Sequence, residues 1–172
     1  MSKSGRPEAG EFAEYAQADI DYVEGDDAVA ALARQQRETT SLFENAGDVP
    51  AYAPGKWTLK EVLGHLIDDE RIFAYRALCV ARGDARPLPG FDENDYVAGA
   101  AFDARSMKSL LDEYRIVRES TIAFFDALND EQWMRRGIVN GYEASVRGLA
   151  FHVAGHELHH LRTVRERYLA RK

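Results

Sequence analysis

Trp57-Thr58-Leu59-Lys60-Glu61-Val62-Leu63-Gly64-His65-Leu66-Ile67-Asp68-Asp69 opens a helix and places a histidine on its apolar side. Thr58 and Glu61 form a capping box, in which the hydroxyl and the carboxylate satisfy free N–H groups of the first turn. The helix is expected to run from about Leu59 to Arg82, where Gly83 stops it and Pro87 and Pro89-Gly90 follow. Apolar positions cover more than half of its surface, so it is expected to be the most buried helix of the fold. At about 100° per residue, Val62, Ile72 and Phe73 lie within about 80° of His65. Asp69 lies about 40° to one side of His65 and Asp68 about 60° to the other. An imidazole on an apolar sector between two carboxylates calls for a partner.

Three further helices are expected around this one. Gly25-Asp26-Asp27 starts the first, with Val29, Leu32, Ala33, Gln36, Thr40 and Phe43 on its inner stripe; Gly47 and Pro50 end it. Met107, Leu110, Tyr114, Val117, Thr121, Phe124 and Leu128 alternate by three and four, the pattern of a bundle seam. The Tyr114 and Thr121 hydroxyls on that seam need partners or a cavity. Ser145 caps the last helix, which runs to about Tyr168, and Gly148 and Gly155 on one of its stripes suit the close approach of a neighbouring helix. Residues 84–104 are read as a long link with a short helical turn near Asp92–Ala98. Residues 129–144 read as a loop, and no strand-period run of useful length is evident. Residues 1–24 read as an arm pinned by Tyr15, Ile20, Tyr22 and Val23. The expectation is an all-α four-helix bundle in one domain spanning residues 1–172, with the arm packed on the bundle.

The balance of charges narrows the partners. The chain of 172 residues carries a net charge of −7 and no basic run, which argues against nucleic acid and anionic membrane surfaces. No apolar stretch approaches the length of a membrane span, and the N-terminus lacks the apolar core of a signal peptide. Cys79 is the only cysteine; between Leu78 and Val80 it reads as a buried structural thiol. A reducing, cytoplasmic location is expected.

His156-Glu157-Leu158-His159-His160 holds three of the five histidines, with His152 one turn earlier. On a helix, His156 and His160 face the same way, about 6 Å apart at Cβ, and both can reach one ion. His152 shares their stripe and can replace or support one of them, while His159 is rotated about 60° from His156. The segment also spells H-E-x-x-H, the zinc-protease signature in which the Glu is the general base. The metzincin continuation fails, because Thr163 and Glu166 stand where Gly and His are needed. A third ligand from upstream, His65, suits the pair better. Three imidazoles with open positions form a catalytic type of metal site, and Asp68 or Asp69 can orient a ligand or add a fourth.

The segment Trp57–Asp68, followed far downstream by His156–His160, resembles the DinB/YfiT-like superfamily of metal-binding four-helix proteins. The resemblance extends from about Tyr22 to Tyr168 and includes Pro89-Gly90-Phe91-Asp92 in the link. It implies an up-down-down-up bundle, a divalent ion (nickel or zinc) held by His65, His156 and His160, and a homodimer. Relatives of this fold include transferases and isomerases that use low-molecular-weight thiols such as bacillithiol or mycothiol.

The leading expectation is a metal-dependent enzyme acting on a small molecule, either a thiol-dependent S-transferase or a hydrolase. Asp68, Asp69 and Glu157 are its candidate proton acceptors, with Glu157 turned furthest from the metal. Arg76, three turns after His65 on nearly the same face, suits either an acidic substrate group or a surface or dimer contact. The alternatives are a metal-clamped, non-catalytic binding module and, more remotely, the zinc protease.

Overall fold

The computed structural model describes residues 5–170. Residues 1–4 of the arm and the last two residues, 171–172, lie outside the described residues. Four long helices carry the fold: α2 (Ala28–Ala46), α3 (Leu59–Ala81), α5 (Met107–Ala127) and α7 (Val146–Thr163). Each starts on a side-chain cap, from Asp27, Thr58, Ser106 and Ser145 respectively, and the Thr58–Glu61 capping box is formed at the start of α3. A short helix α1 (Gln17–Asp21) precedes them, and the link contains α4 (Glu93–Ala100). A π-helical turn, Val164–Leu169, extends α7.

Paired contacts fix the helix directions. Along α3 and α5, the ring of Phe102, just ahead of α5, packs where a Gly64 side chain would stand, and nearly two turns further on Glu70 binds Arg118. Positions rise together, so the two helices are parallel. Along α3 and α7, His65 and Asp69 meet His156 while Phe73 meets His152, so these two run antiparallel. Gln35 donates to the Ala154 carbonyl and Thr39 to Glu157, which makes α2 parallel to α7. Gln36 reaches Arg115 and Leu32 reaches Arg118, which sets α2 against α5. The bundle is therefore up-down-down-up. The long link is what allows α3 and α5 to be parallel neighbours. In the bundle's cross-section α3 and α2 each pack on α5 and α7, so α2 and α3, consecutive long helices, lie across a diagonal.

Two apolar clusters fill the bundle. One gathers around Phe73, Phe125 and Phe151, the other around Phe43, Leu63, Leu110 and Leu161. Between them lies a buried polar belt to which all four long helices contribute. Arg118 grips Glu70 with two donors, at 2.9 and 2.8 Å, and also binds Glu157 and the Leu32 carbonyl. Tyr114 donates to Glu157 at 2.6 Å, and Thr39 donates to the same carboxylate oxygen. Thr121 donates instead to the Val117 carbonyl one turn back. The belt corrects the inner stripe expected for α2. Ala33 is exposed and Gln36 and Thr40 are half-buried, whereas Gln35 and Thr39 are buried. Hydropathy favours hiding Ala33, but the belt needs the hydrogen-bonding groups of Gln35 and Thr39 inside.

Residues 129–144 are not a plain loop. They hold the short helix α6 (Asp130–Met134) and a hairpin of β1 (Arg136–Val139) and β2 (Tyr142–Ser145). Its turn is Asn140-Gly141, with Asn140 at φ 52° and Gly141 at φ 81°, the left-handed pair such a turn demands. Asn140 and Ile138 exchange backbone hydrogen bonds with Leu88, so the hairpin braces the link beside the site.

The arm does more than lie on the surface. Ile20 and Val23 are buried as expected, but Tyr15 is largely exposed and Tyr22 partly so. Glu11 is the stronger anchor: it is buried and accepts from Ser145 at 2.8 Å and from Arg147. The neighbours that Gly148 and Gly155 admit belong to this arm. A Cβ at Gly148 would meet the Glu11 carbonyl at 1.9 Å, and one at Gly155 the Asp19 carbonyl at 2.3 Å. Cys79 is buried, and no helix among the described residues is long and apolar enough to cross a membrane.

Candidate metal centre

His65 comes from the second turn of α3, and His156 and His160 from the last two turns of α7. The antiparallel register of these helices brings the three rings together near the surface end of the apolar core. His156 Nε2 lies 3.2 Å from His65 Nε2 and 3.1 Å from His160 Nε2. One ligand atom from each histidine lies within 4.8 Å of the others. Nitrogens bound at about 2.1 Å to one ion, at angles between octahedral and tetrahedral, lie about 3.0–3.4 Å apart. The two short separations fall in that range.

Protonation states fit a cation as well. Asp69 meets His156 Nδ1 at 3.2 Å, so the N–H sits on Nδ1 and the Nε2 lone pair faces the other two rings. Burial opposes a charged His156, but the adjacent Asp69 outweighs it and raises the pKa. Asp69 in turn is held well below the usual carboxylate range: burial pushes its pKa up, and His156 more than reverses this. His65 is lowered to about 4, first by burial and then by His156. His160 is lowered to about 2 by burial and by its imidazole neighbours. Near neutral pH His65 and His160 are therefore neutral, the form that binds a metal, while His156 holds its Nδ1 proton toward Asp69 and would give up any proton on Nε2 to a bound cation.

Trp57 closes one side. Its ring lies 4.8 Å from that of His65 and 6.3 Å from that of His160. On the other side the histidines open into a cleft of about 520 Å³ between α3, α7, the arm and the link. Glu93, the first residue of α4, stands at this opening, with a carboxylate oxygen 3.9 Å from His65 Nε2. The donor set is thus three imidazoles on two helices with an accessible open side.

The remaining expected residues separate clearly. Asp69 joins the site through His156. Asp68 does not: it faces Arg71 at 3.7 Å on the α5 side, where burial raises its pKa. Glu157 is also turned away, bound to Arg118, Tyr114 and Thr39 in the belt. The H-E-x-x-H motif therefore lacks its general base here, and the protease arrangement is not met. His152 stacks on Phe73 at 4.0 Å and lies 5.7 Å from His156, along the cleft wall rather than in the cluster. His159 points to Asp19 of the arm, 3.0 Å away. Glu93 and Trp57 were missed as site residues. Trp57 directly precedes the helix cap, and Glu93 follows the N-cap Asp92, but neither position reveals its target without the path of the link.

The architecture has a known counterpart. YfiT from Bacillus subtilis, described as a probable metal-dependent hydrolase with an unusual four-helix bundle topology, superposes with a TM-score of 0.69. The match covers 95% of this chain and 91% of that one at 14% identity, a likeness of fold. No curated protein matches the sequence at a significant level. The family model described as the DinB superfamily matches residues 31–164, from early α2 to the close of α7, and the chain belongs to that superfamily.

Proposed function

We propose that the protein is a divalent-metal-dependent enzyme acting on a small molecule at the His65, His156 and His160 centre. The convergence of three imidazoles beside an open cleft carries this reading. The description of YfiT as a probable metal-dependent hydrolase is in keeping with it. A divalent ion held there supplies Lewis acidity to the reaction. Asp69 fixes the tautomer and the ring plane of His156, and so the direction of its lone pair. Trp57 shields the back of His65 and His160 from water. Glu93 replaces Asp68 and Glu157 as the proton acceptor: it is the carboxylate on the open side, placed to take a proton from water or from a thiol nucleophile.

Hydrolysis and thiol transfer both suit this arrangement. Nickel or zinc, a low-molecular-weight thiol and a homodimer accompany the reading as expectations from the family, and a cytoplasmic location as an expectation from the sequence. A second reading, a metal clamp without catalysis, draws on the ligands bridging α3 and α7. Kinetics separate the two. Metal-loaded protein, screened with hydrolysable esters and amides and with bacillithiol, mycothiol and glutathione against electrophiles, is expected to turn over one class. Glu93→Gln is expected to lower kcat about 100-fold with metal content unchanged. Stoichiometric metal with no turnover in either screen favours the clamp.

A further inference from the structure

Arg76 lines the same cleft as His156 and His160, and among the described residues it forms no ion pair. It is 4% exposed. Its Nη2 donates to the Pro89 carbonyl at 2.6 Å. Its guanidinium lies 4.6 Å from the centre of the Phe73 ring and 5.5 Å from that of Phe91. A guanidinium has five N–H donors, and among the described residues no carboxylate reaches this one at ion-pair distance. A buried cation without a counter-ion is costly, and side chains elsewhere in this fold avoid that cost: Arg118 and Arg147 each hold a buried carboxylate.

The carboxylates around the cleft are engaged. Asp69 holds His156, Asp19 meets His159, and Asp92 caps α4 through the Asn94 and Asp95 N–H groups. Glu93 faces His65. Arg76 is therefore available to something that enters from outside.

We propose that the cleft binds a small organic carboxylate, seated on Arg76 with its remaining length directed toward His156 and His160. The second half of this statement rests on the metal-centre reading; the first half does not. A guanidinium pairs bidentately with either a carboxylate or a phosphate, and two further features favour the carboxylate. The Phe73 and Phe91 rings offer apolar contact to an unsaturated or aromatic body. Asp19, Asp69, Asp92 and Glu93 repel a polyanion, while a single negative charge is met by Arg76.

Binding of benzoate, benzamide and inorganic phosphate, followed by ligand-observed NMR on zinc-loaded and metal-free full-length protein, tests this. Benzoate is expected to bind in both forms, at least about tenfold tighter than benzamide, the neutral isostere. Phosphate is expected to bind more weakly than benzoate. Arg76→Met should weaken benzoate binding about tenfold or more, and Arg76→Lys, which keeps the charge but loses the planar fork, should keep only part of it, each in protein whose thermal melting shows a folded state. Equal affinity for benzoate and benzamide overturns the proposal, and this comparison uses wild-type protein alone. Tighter binding of phosphate overturns the choice of carboxylate. Loss of benzoate binding in His65→Ala but not in Arg76→Met overturns the role of Arg76, since the metal would then hold the anion. A protein that takes up no zinc but still prefers benzoate to benzamide supports the Arg76 seat while refuting the metal centre.

Discussion

Two polar centres lie one residue apart along both α3 and α7. Asp69 and His156 belong to the cleft; Glu70 and Glu157, their immediate neighbours, belong to the belt. The belt is closed. Arg118 meets two carboxylates, and Tyr114 and Thr39 complete Glu157. The cleft is open: imidazole nitrogens face each other, and the Arg76 guanidinium on its wall pairs with no carboxylate among the described residues. Desolvated charges stabilise a fold only when their partners are all present, as they are in the belt. The cleft keeps its groups partly unmatched, as a site for external ions and molecules does. A single step along the helix therefore separates a residue that holds the bundle from one that serves the site.

The contrast can be broken by substitutions on either side. The largest effect is expected in the belt. Arg118→Met leaves Glu70 and Glu157 buried without their cation and should cost about 3–5 kcal/mol in chemical denaturation. A cost below about 1 kcal/mol would mean that the belt is not a closed centre.

A matched pair of neutralised carboxylates sharpens the distinction. Asp69→Asn should weaken metal binding about 10–100-fold, seen in competition with a chelator, because the His156 tautomer loses its acceptor. Glu157→Gln should instead lower folding stability by about 1–3 kcal/mol and leave metal affinity nearly unchanged. The reverse pattern would assign the two residues to the wrong centres.

A smaller effect is expected from pH. In metal-free protein, His65 and His152 are lowered to about 4 and His160 to about 2, each mainly by burial. An unfolded histidine titrates near 6.5, so the unfolded chain takes up more protons as pH falls below that value. Metal-free stability should therefore decline between about pH 6.5 and 4; the contribution of His156, whose pKa is raised, is already complete below about pH 6.5 and is lost only as pH rises above it. Denaturation midpoints that stay flat over this window would contradict the burial of these rings in a neutral form.

Much of this was legible in the sequence, for identifiable reasons. The helices announced themselves through caps and spacing: Thr58 with Glu61, Ser145, and the Met107–Leu128 seam. His65 and His156 were visible as a pair because an imidazole is out of place on an apolar face. The hairpin escaped because strands of four residues, Arg136–Val139 and Tyr142–Ser145, are too short to establish a period; Asn140-Gly141 was the remaining signal. Arg118 and Glu70 escaped because charged residues read as solvated until their partners on other helices are known. Asp68 and Asp69 differ only by rotation about the same helix, and the neighbour on each side decides between them: Arg71 for one, His156 for the other.

On the function proposed above, His65, far from the α7 pair in sequence, completes a metal centre with it. Metal content and affinity of untagged protein, measured for wild type, His65→Ala, His156→Ala, His160→Ala and His159→Ala, test it directly. The expected result is close to one divalent ion per wild-type chain, loss of that ion in the first three variants, and retention in His159→Ala, whose ring faces Asp19. Full occupancy and affinity in His65→Ala, or loss in His159→Ala alone, would contradict the account.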